Sequence, residues 1–198
     1  MEFGIETLQD QIPAYLTQEQ KDGLVRALDD FNRSGHVDYF LDRYHTELLQ
    51  GDGWTALDVI RFDDGQRKGV RGIVLSNSCD VDDGNDRAIP PRLIFAPLVP
   101  LDGYVGLLKA SKVTAQALEQ KLKAIREQRI TSIFYLPAGG GLESEHIAVL
   151  DDLHTVPLPH FKANENRQKL FTLGMTGFYI FLFKLSVHFC RFHENVAR

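Results

Sequence analysis

From Trp54 onward the chain is cut into short apolar runs separated by clusters of turn-forming residues: Trp54–Phe62, Gly69–Ser76, Arg92–Pro100, Ile130–Leu136, His146–Leu150 and Thr155–Leu158. Runs this short, rich in Val, Ile, Leu and Phe, have the length and residue types of strands rather than of helices. Five or six short strands with regular turn signals predict a small, mainly antiparallel barrel. Between the third and fourth runs, residues 113–128 carry Leu118, Leu122 and Ile125 at helical spacing, with Glu119 four places before Lys123. That stretch predicts an amphipathic helix inserted into the barrel.

The flanks read differently. Thr17-Gln18-Glu19-Gln20 has the pattern of a capping box, and Leu24, Leu28 and Phe31 follow at helical spacing. After the break at Ser34-Gly35, Val37, Phe40, Leu41, Tyr44 and Leu48 line one face of a second expected helix ending near Gly51. Together they predict an N-terminal αα-hairpin. At the other end, Gln168–Glu194 is apolar nearly all round and predicts one long helix. Lys184 and His188 interrupt its apolar stretch and Gly174 and Gly177 weaken its start, so a buried core helix or a dimer interface is expected in place of a membrane span. The expected class is α+β, in three parts: an acidic helical hairpin over 1–50, the barrel with its inserted helix over 51–160, and the C-terminal helix over 161–198.

The net charge of −5 is concentrated in the first 50 residues, which carry 4 Lys/Arg against 10 Asp/Glu. The hairpin surface is therefore either a solvated face or a docking surface for a basic partner. Cys79 and Cys190 lie far apart without a CxxC pair, which argues against a disulfide framework and a structural zinc site. Reduced thiols and a cytoplasmic location are expected, as the first residues lack a secretory pattern. No cofactor and no metal is expected. Gly139-Gly140-Gly141 lacks the GxxxxGK[ST] signature and reads as a flexible hairpin loop. The acidic loop Asp80–Asp86 has hard oxygen ligands, but its Gly84 falls one place early for an EF-hand and Pro91 stands where the closing Glu belongs, so it reads as a solvated turn.

The candidate site centres on Arg71–Asp80. Ile73, Val74 and Leu75 form a core-strand run that stops at Ser76-Asn77-Ser78, turn formers that deliver Cys79 and Asp80 to solvent. Cys79 with His146 or His154 and Asp151 has the residue types of a thiol nucleophile, its base and an orienting carboxylate. Arg61, Arg67, Lys68 and Arg71 form a basic rim suited to a nucleic-acid backbone, the alternative being pairing with Asp63, Asp64 and the acidic loop.

The order of these features resembles the MazF/PemK-like toxins. Gly51-Asp52-Gly53-Trp54 is similar to the family's opening, Gln66–Ser76 to its basic loop and second strand, Leu93–Val99 to its third strand, and His146–Val156 to its late strands. The resemblance covers about residues 51–158. It implies an SH3-like barrel, likeness to a toxin–antitoxin component, and metal-independent cleavage of single-stranded RNA. Arg71 then stabilises phosphorane charge, and Arg67 and Lys68 position the backbone, with Ser76 and Asp80 as further substrate-binding candidates. The family's Thr after the third-strand Pro is Val99 here, which has no hydroxyl, and Gly72 stands where members usually have Pro. His154 is the candidate base, because imidazole moves protons near neutral pH. The implied partners are single-stranded RNA, a second copy in a homodimer, and a protein docked through the acidic hairpin or the C-terminal helix, with no membrane. Two competing readings stay open: a non-catalytic interaction module on the same barrel, and a Cys79-dependent enzyme.

Overall fold

A computed structural model of the chain describes residues 22, 23, 25, 26, 39–82, 84, 85 and 88–190. The chain divides into two compact units, Phe40–Thr172 and the combination of Met1–Tyr39 with Leu173–Arg198.

The larger unit is built on a curled antiparallel sheet. Its strands are β1 (Phe40–Leu41), β2 (Gly53–Ile60), β3 (Arg67–Val74), β4 (Arg92–Pro100), β5 (Ile133–Leu136), β6 (His146–Val149), β7 (His154–Pro157) and β8 (Lys169–Leu173). They lie in the order β1-β8-β2-β3-β4-β6-β5, with β7 also paired to β4. Two devices curl the sheet. In β2 the pairing to β3 jumps between Trp54 and Leu57, and Ala56 takes a left-handed φ of 55°. Such a bulge bends and over-twists its strand. The central strand β4 divides its length between two partners: Arg92 to Phe95 pair with β7, and Leu98 to Pro100 pair with β6.

The concave side holds the main core of Trp54, Leu57, Val74, Val81, Leu93, Phe95, Val156, Leu158 and Phe161. Trp54 and Phe161 meet edge to face at 5.6 Å. Burial of each such large side chain stabilises the fold by roughly 1.5–3 kcal/mol. Gly72 is required here, because a Cβ at this position would lie 2.7 Å from Leu57 Cδ1 and 2.8 Å from Phe95 Cδ2.

Helix α1 (Leu101–Ala110) follows β4 without a loop, and α2 (Ala115–Arg126) is capped by the Thr114 hydroxyl, which accepts from Ala117 N at 3.3 Å. A second cluster of Leu101, Ile125, Ile133 and Ile147 fixes them to β5 and β6, with Val99 and Leu122 packed on it. Arg126 clamps the end of α2 to Glu145 through two hydrogen bonds of 2.7 Å, and the Tyr135 hydroxyl donates to the same carboxylate. Gln128 covers the free edge of β5, its amide donating to Tyr135 O and accepting from Tyr135 N. A blocked edge resists pairing with another chain. The short helix α3 (Leu158–Ala163) closes one end of the curl with Leu158 and Phe161. The inserted helix is thus found within the expected 113–128.

Two expectations are corrected. The second helix expected up to Gly51 is absent: Phe40–Leu41 is strand and residues 42–49 are irregular. Their carbonyls serve another bond. Lys169 Nζ donates to Tyr44 O and to Glu47 O while pairing with the buried Asp52 at 2.8 Å. The first expected helix lies largely outside the described residues, of which 22, 23, 25 and 26 are helical. The long helix expected over Gln168–Glu194 is divided into β8 and α4 (Met175–Cys190). β8 pairs with β2, where Lys169 and Phe171 fill their places, and Gly174 N bonds Tyr39 O as the chain leaves the strand. Gly139–Gly141 lies in a hairpin turn between β5 and β6, as expected, with Gly139 and Leu142 exchanging backbone hydrogen bonds of 3.0 and 2.9 Å. Gly140 has φ 56°, its Cβ would lie 2.9 Å from Phe171 Cβ, and Gly141 N donates to Leu170 O at 2.6 Å.

In the smaller unit, the Tyr179 ring of α4 lies over Gly23, and Lys184 is buried. Burial lowers the Lys184 ammonium to about 7. Among the described residues no helix is long and apolar enough to cross a membrane.

Candidate functional site

The β2–β3 hairpin turns tightly. Arg61 N donates to Gln66 O at 3.0 Å, Gly65 takes a φ of 67°, and Arg61 pairs with Asp64. That pairing holds the Asp64 carboxyl below its ordinary range. The turn pushes Phe62 into solvent, where it is 98% exposed. Strand β7 runs beside β2 without forming a ladder with it, so the two lips remain apart. Between them lies a cleft of about 390 Å³. Its walls bring Asp58, Ile60, Phe62 and Arg67 of the hairpin together with Arg92 of β4, Leu153 just before β7, His154 at the start of β7, and His160 of α3.

Each histidine is held by a carboxylate. His160 Nε2 lies 2.8 Å from Asp58 Oδ2, a contact that joins α3 to β2 across 102 residues of sequence. His154 Nε2 lies 3.0 Å from Asp152 Oδ1, and its ring stacks on Phe95 at 5.8 Å. Arg92 is fixed along β7, with Nε and Nη2 donating to the Thr155 hydroxyl and Nη2 also to Thr155 O. Arg67 is exposed and has no ion-pair partner among the described residues. The arrangement offers one uncommitted and one rigid guanidinium beside two imidazoles, with apolar surface at Phe62, Ile60 and Leu153.

The expected site residues are only partly brought together. Arg67 and His154 line the cleft, whereas Lys68, Arg71, Ser76, Cys79 and Asp80 do not. Arg71 is exposed on β3, four residues from Arg67 and thus roughly 13 Å along the strand. Like Lys68 it has no ion-pair partner among the described residues, while Arg61 is taken by Asp64. Ser76 is buried and structural: its hydroxyl accepts from Ile94 N at 2.8 Å and ties the end of β3 to β4. Cys79 and Asp80 occupy an exposed single turn of 3-10 helix, capped by the Asn77 side chain accepting from Cys79 N at 2.9 Å.

Of the residues expected in the Cys79 trio, His146 is buried with Nδ1 against Ser144 O, and His154 Nε2 meets the Asp152 carboxylate. In the acidic loop Asp82 accepts from Gly84 N, and Asp83 and Asp86 lie outside the described residues. No three His, Cys, Asp or Glu converge on a metal position among the described residues.

Several residues of consequence escaped the sequence reading, Arg92 and Asp152 among them, and two more show why. His160 has a weak local signal, since Pro157 and Pro159 bracket a helix start. Asp58 has none, because its partner is remote in sequence. No protein-family model matches the chain, and no curated protein matches it.

Proposed function

We propose that this chain is an RNA-binding protein of the MazF/PemK-like kind, an SH3-like barrel whose cleft between the β2–β3 hairpin and β7 seats single-stranded RNA. The observation that carries the reading is the convergence of Arg67, Arg92, His154 and His160 on one cleft rimmed by the exposed Phe62. Guanidinium groups bind phosphate through paired hydrogen bonds. An exposed aromatic ring offers a stacking face to an unpaired base, a contact of about 1–3 kcal/mol. Arg71, on the same face of β3 as Arg67, continues the positive edge and would follow the backbone beyond the cleft, while Lys68 falls on the opposite face.

The test is fluorescence anisotropy of labelled mixed-sequence single-stranded RNA, titrated at several salt concentrations. Binding weakens with salt, and Arg67→Ala lowers both the affinity and the salt slope, the latter by about 0.7 for one lost phosphate contact. No binding at roughly 50 mM salt, or an Arg67→Ala variant indistinguishable from the parent, overturns the reading.

One observation favours a second reading, a binding module without the family's chemistry. Val99 packs into the cluster of Leu101, Ile125, Ile133 and Ile147, so the position that carries a hydroxyl in the family serves packing here. Capture of a folded protein partner by the parent, with no affinity for RNA, is the result that selects this alternative.

A further inference from the structure

Away from the cleft, Lys169 of β8 meets Asp52, the residue before β2, in a site closed to water. Nζ lies 2.8 Å from Asp52 Oδ2, with the carboxylate fully buried and the lysine side chain 9% exposed. The other two Nζ donors go to backbone carbonyls, Tyr44 O and Glu47 O. Tyr44 presents its carbonyl from a left-handed φ of 61°, a conformation that bulky residues rarely adopt. Two carbonyls therefore hold two N–H bonds, and once the third proton is given up the nitrogen lone pair is aimed at the carboxyl. Burial raises the Asp52 carboxyl, which makes it an acceptor for that proton. Two ions out of water also cost more solvation than the neutral acid and amine that one proton transfer turns them into. Oδ1 and the Thr172 hydroxyl beside it are buried without a hydrogen bond among the described residues. The buried Trp54 ring, centred 5.6 Å from Nζ, walls the pair.

We propose that Lys169 and Asp52 become joined within the folded chain by an amide bond between Nζ and Cγ, the ion pair being its reactant state. The proposal stands apart from the RNA reading, since none of these residues lines the cleft. The ammonium passes one proton to Oδ2, and the amine attacks Cγ. Negative charge builds on Oδ1, where the Thr172 hydroxyl is the donor at hand. The bond from Cγ to Oδ2 then breaks as a second proton moves from Nζ to Oδ2, with Leu49 N, 2.7 Å away, holding that oxygen. Oδ2 leaves as water, Oδ1 becomes the amide oxygen, and one of the three ammonium protons stays on nitrogen. Nothing is oxidised or reduced, and no co-reactant is consumed. In bulk water the separate ions are favoured over the amide. Groups held in reactive contact gain an effective concentration on the order of 10⁵–10⁸ M, which reverses that preference. The bond ties the start of β2 to β8 and closes a loop of the chain that contains β3 to β7.

The experiment is intact mass measurement of the full chain under denaturing conditions, after incubation of the folded protein at neutral pH, followed by protease digestion and tandem mass spectrometry. Folding before the measurement is checked by Trp54 fluorescence. The parent is lighter than its sequence by one water, and the digest contains a branched peptide in which the segments carrying Asp52 and Lys169 are joined. Lys169→Met has the full mass of its sequence. The branched peptide is read in the parent itself, so the test does not depend on the variant folding. Full sequence mass in the folded parent, with Asp52 and Lys169 on separate peptides, overturns the proposal. Loss of water that persists in Lys169→Met, or that maps to a cyclic imide at the Asp52–Gly53 step, overturns it as well.

Discussion

Replacing Lys169 with Met would leave Asp52 as a lone buried carboxylate. Asp52 is fully buried, and Lys169 is only 9% exposed at the side chain. Asp52 Oδ2 accepts from Leu49 N at 2.7 Å and from Lys169, and Oδ1 has no hydrogen bond among the described residues. The ammonium distributes its three donors over Asp52, Tyr44 O and Glu47 O, and sits 5.6 Å from the centre of the Trp54 ring. Removing one member of a buried pair costs about 3–5 kcal/mol, since the other charge is stranded. For a chain of this length that is a fall in Tm of roughly 6–20 °C. Burial raises the Asp52 carboxyl and Lys169 opposes it. A folded pKa above the unfolded one means that the native state takes up the proton first as pH falls, so native stability gains on acidification through that window. Without Lys169 the opposition is gone, and the variant's deficit shrinks from pH 7 toward pH 4. The assay is urea unfolding followed by the fluorescence of Trp54, the chain's single tryptophan. A loss below about 1 kcal/mol at pH 7, as for a surface pair, or a deficit unchanged by acid, refutes the reasoning.

Two further outcomes follow from shifted groups. Glu145 is held below its ordinary range by Arg126, so its pairing stabilises the fold above about pH 4.5 and is lost as pH falls through the lower folded value. Glu145→Gln therefore destabilises near neutrality by about 1 kcal/mol or less, given the exposure of both partners, and thermal scans at pH 7 and pH 3 should differ for the parent more than for the variant. Lys184 is lowered to about 7, so between that value and 10.5 the unfolded chain binds a proton that the native state lacks. Native stability should rise with pH across this interval, and Lys184→Met, read by urea midpoints at pH 7 and pH 9, should flatten the rise.

Physical reasons separate what the sequence revealed from what it concealed. β4 is legible because buried Leu93 and Phe95 alternate with exposed Arg92 and Ile94 in an apolar run between Pro91 and Pro100, and α2 because Leu118, Leu122 and Ile125 recur over a capped stretch. α1 is concealed, since it opens directly after Pro100 and carries Gly103 and Gly106, residues that weigh against helix on propensity alone. Residues 37–48 carry a helical period, yet the carbonyls of Tyr44 and Glu47 bond Lys169, an acceptor set closed by a residue more than 120 positions away. The same distance conceals the site. Arg67 and His154 were legible as residue types, but their shared cleft depends on β7 running beside β2, and the Asp58–His160 contact exists only once α3 closes the curl. Ser76 illustrates the opposite error: a polar residue at a strand end looked available to a ligand and is consumed by the backbone of β4.

The most direct measurement of the central claim is photo-crosslinking of 4-thiouridine-substituted single-stranded RNA to the parent protein, with the crosslinked peptides identified by mass spectrometry. The account predicts crosslinks in the peptides that carry Asp58 to Arg67 and Leu153 to His160, reduced in Arg67→Ala and competed by unlabelled RNA. Crosslinks confined to α1 or to the acidic first 50 residues, or none above background, would contradict it.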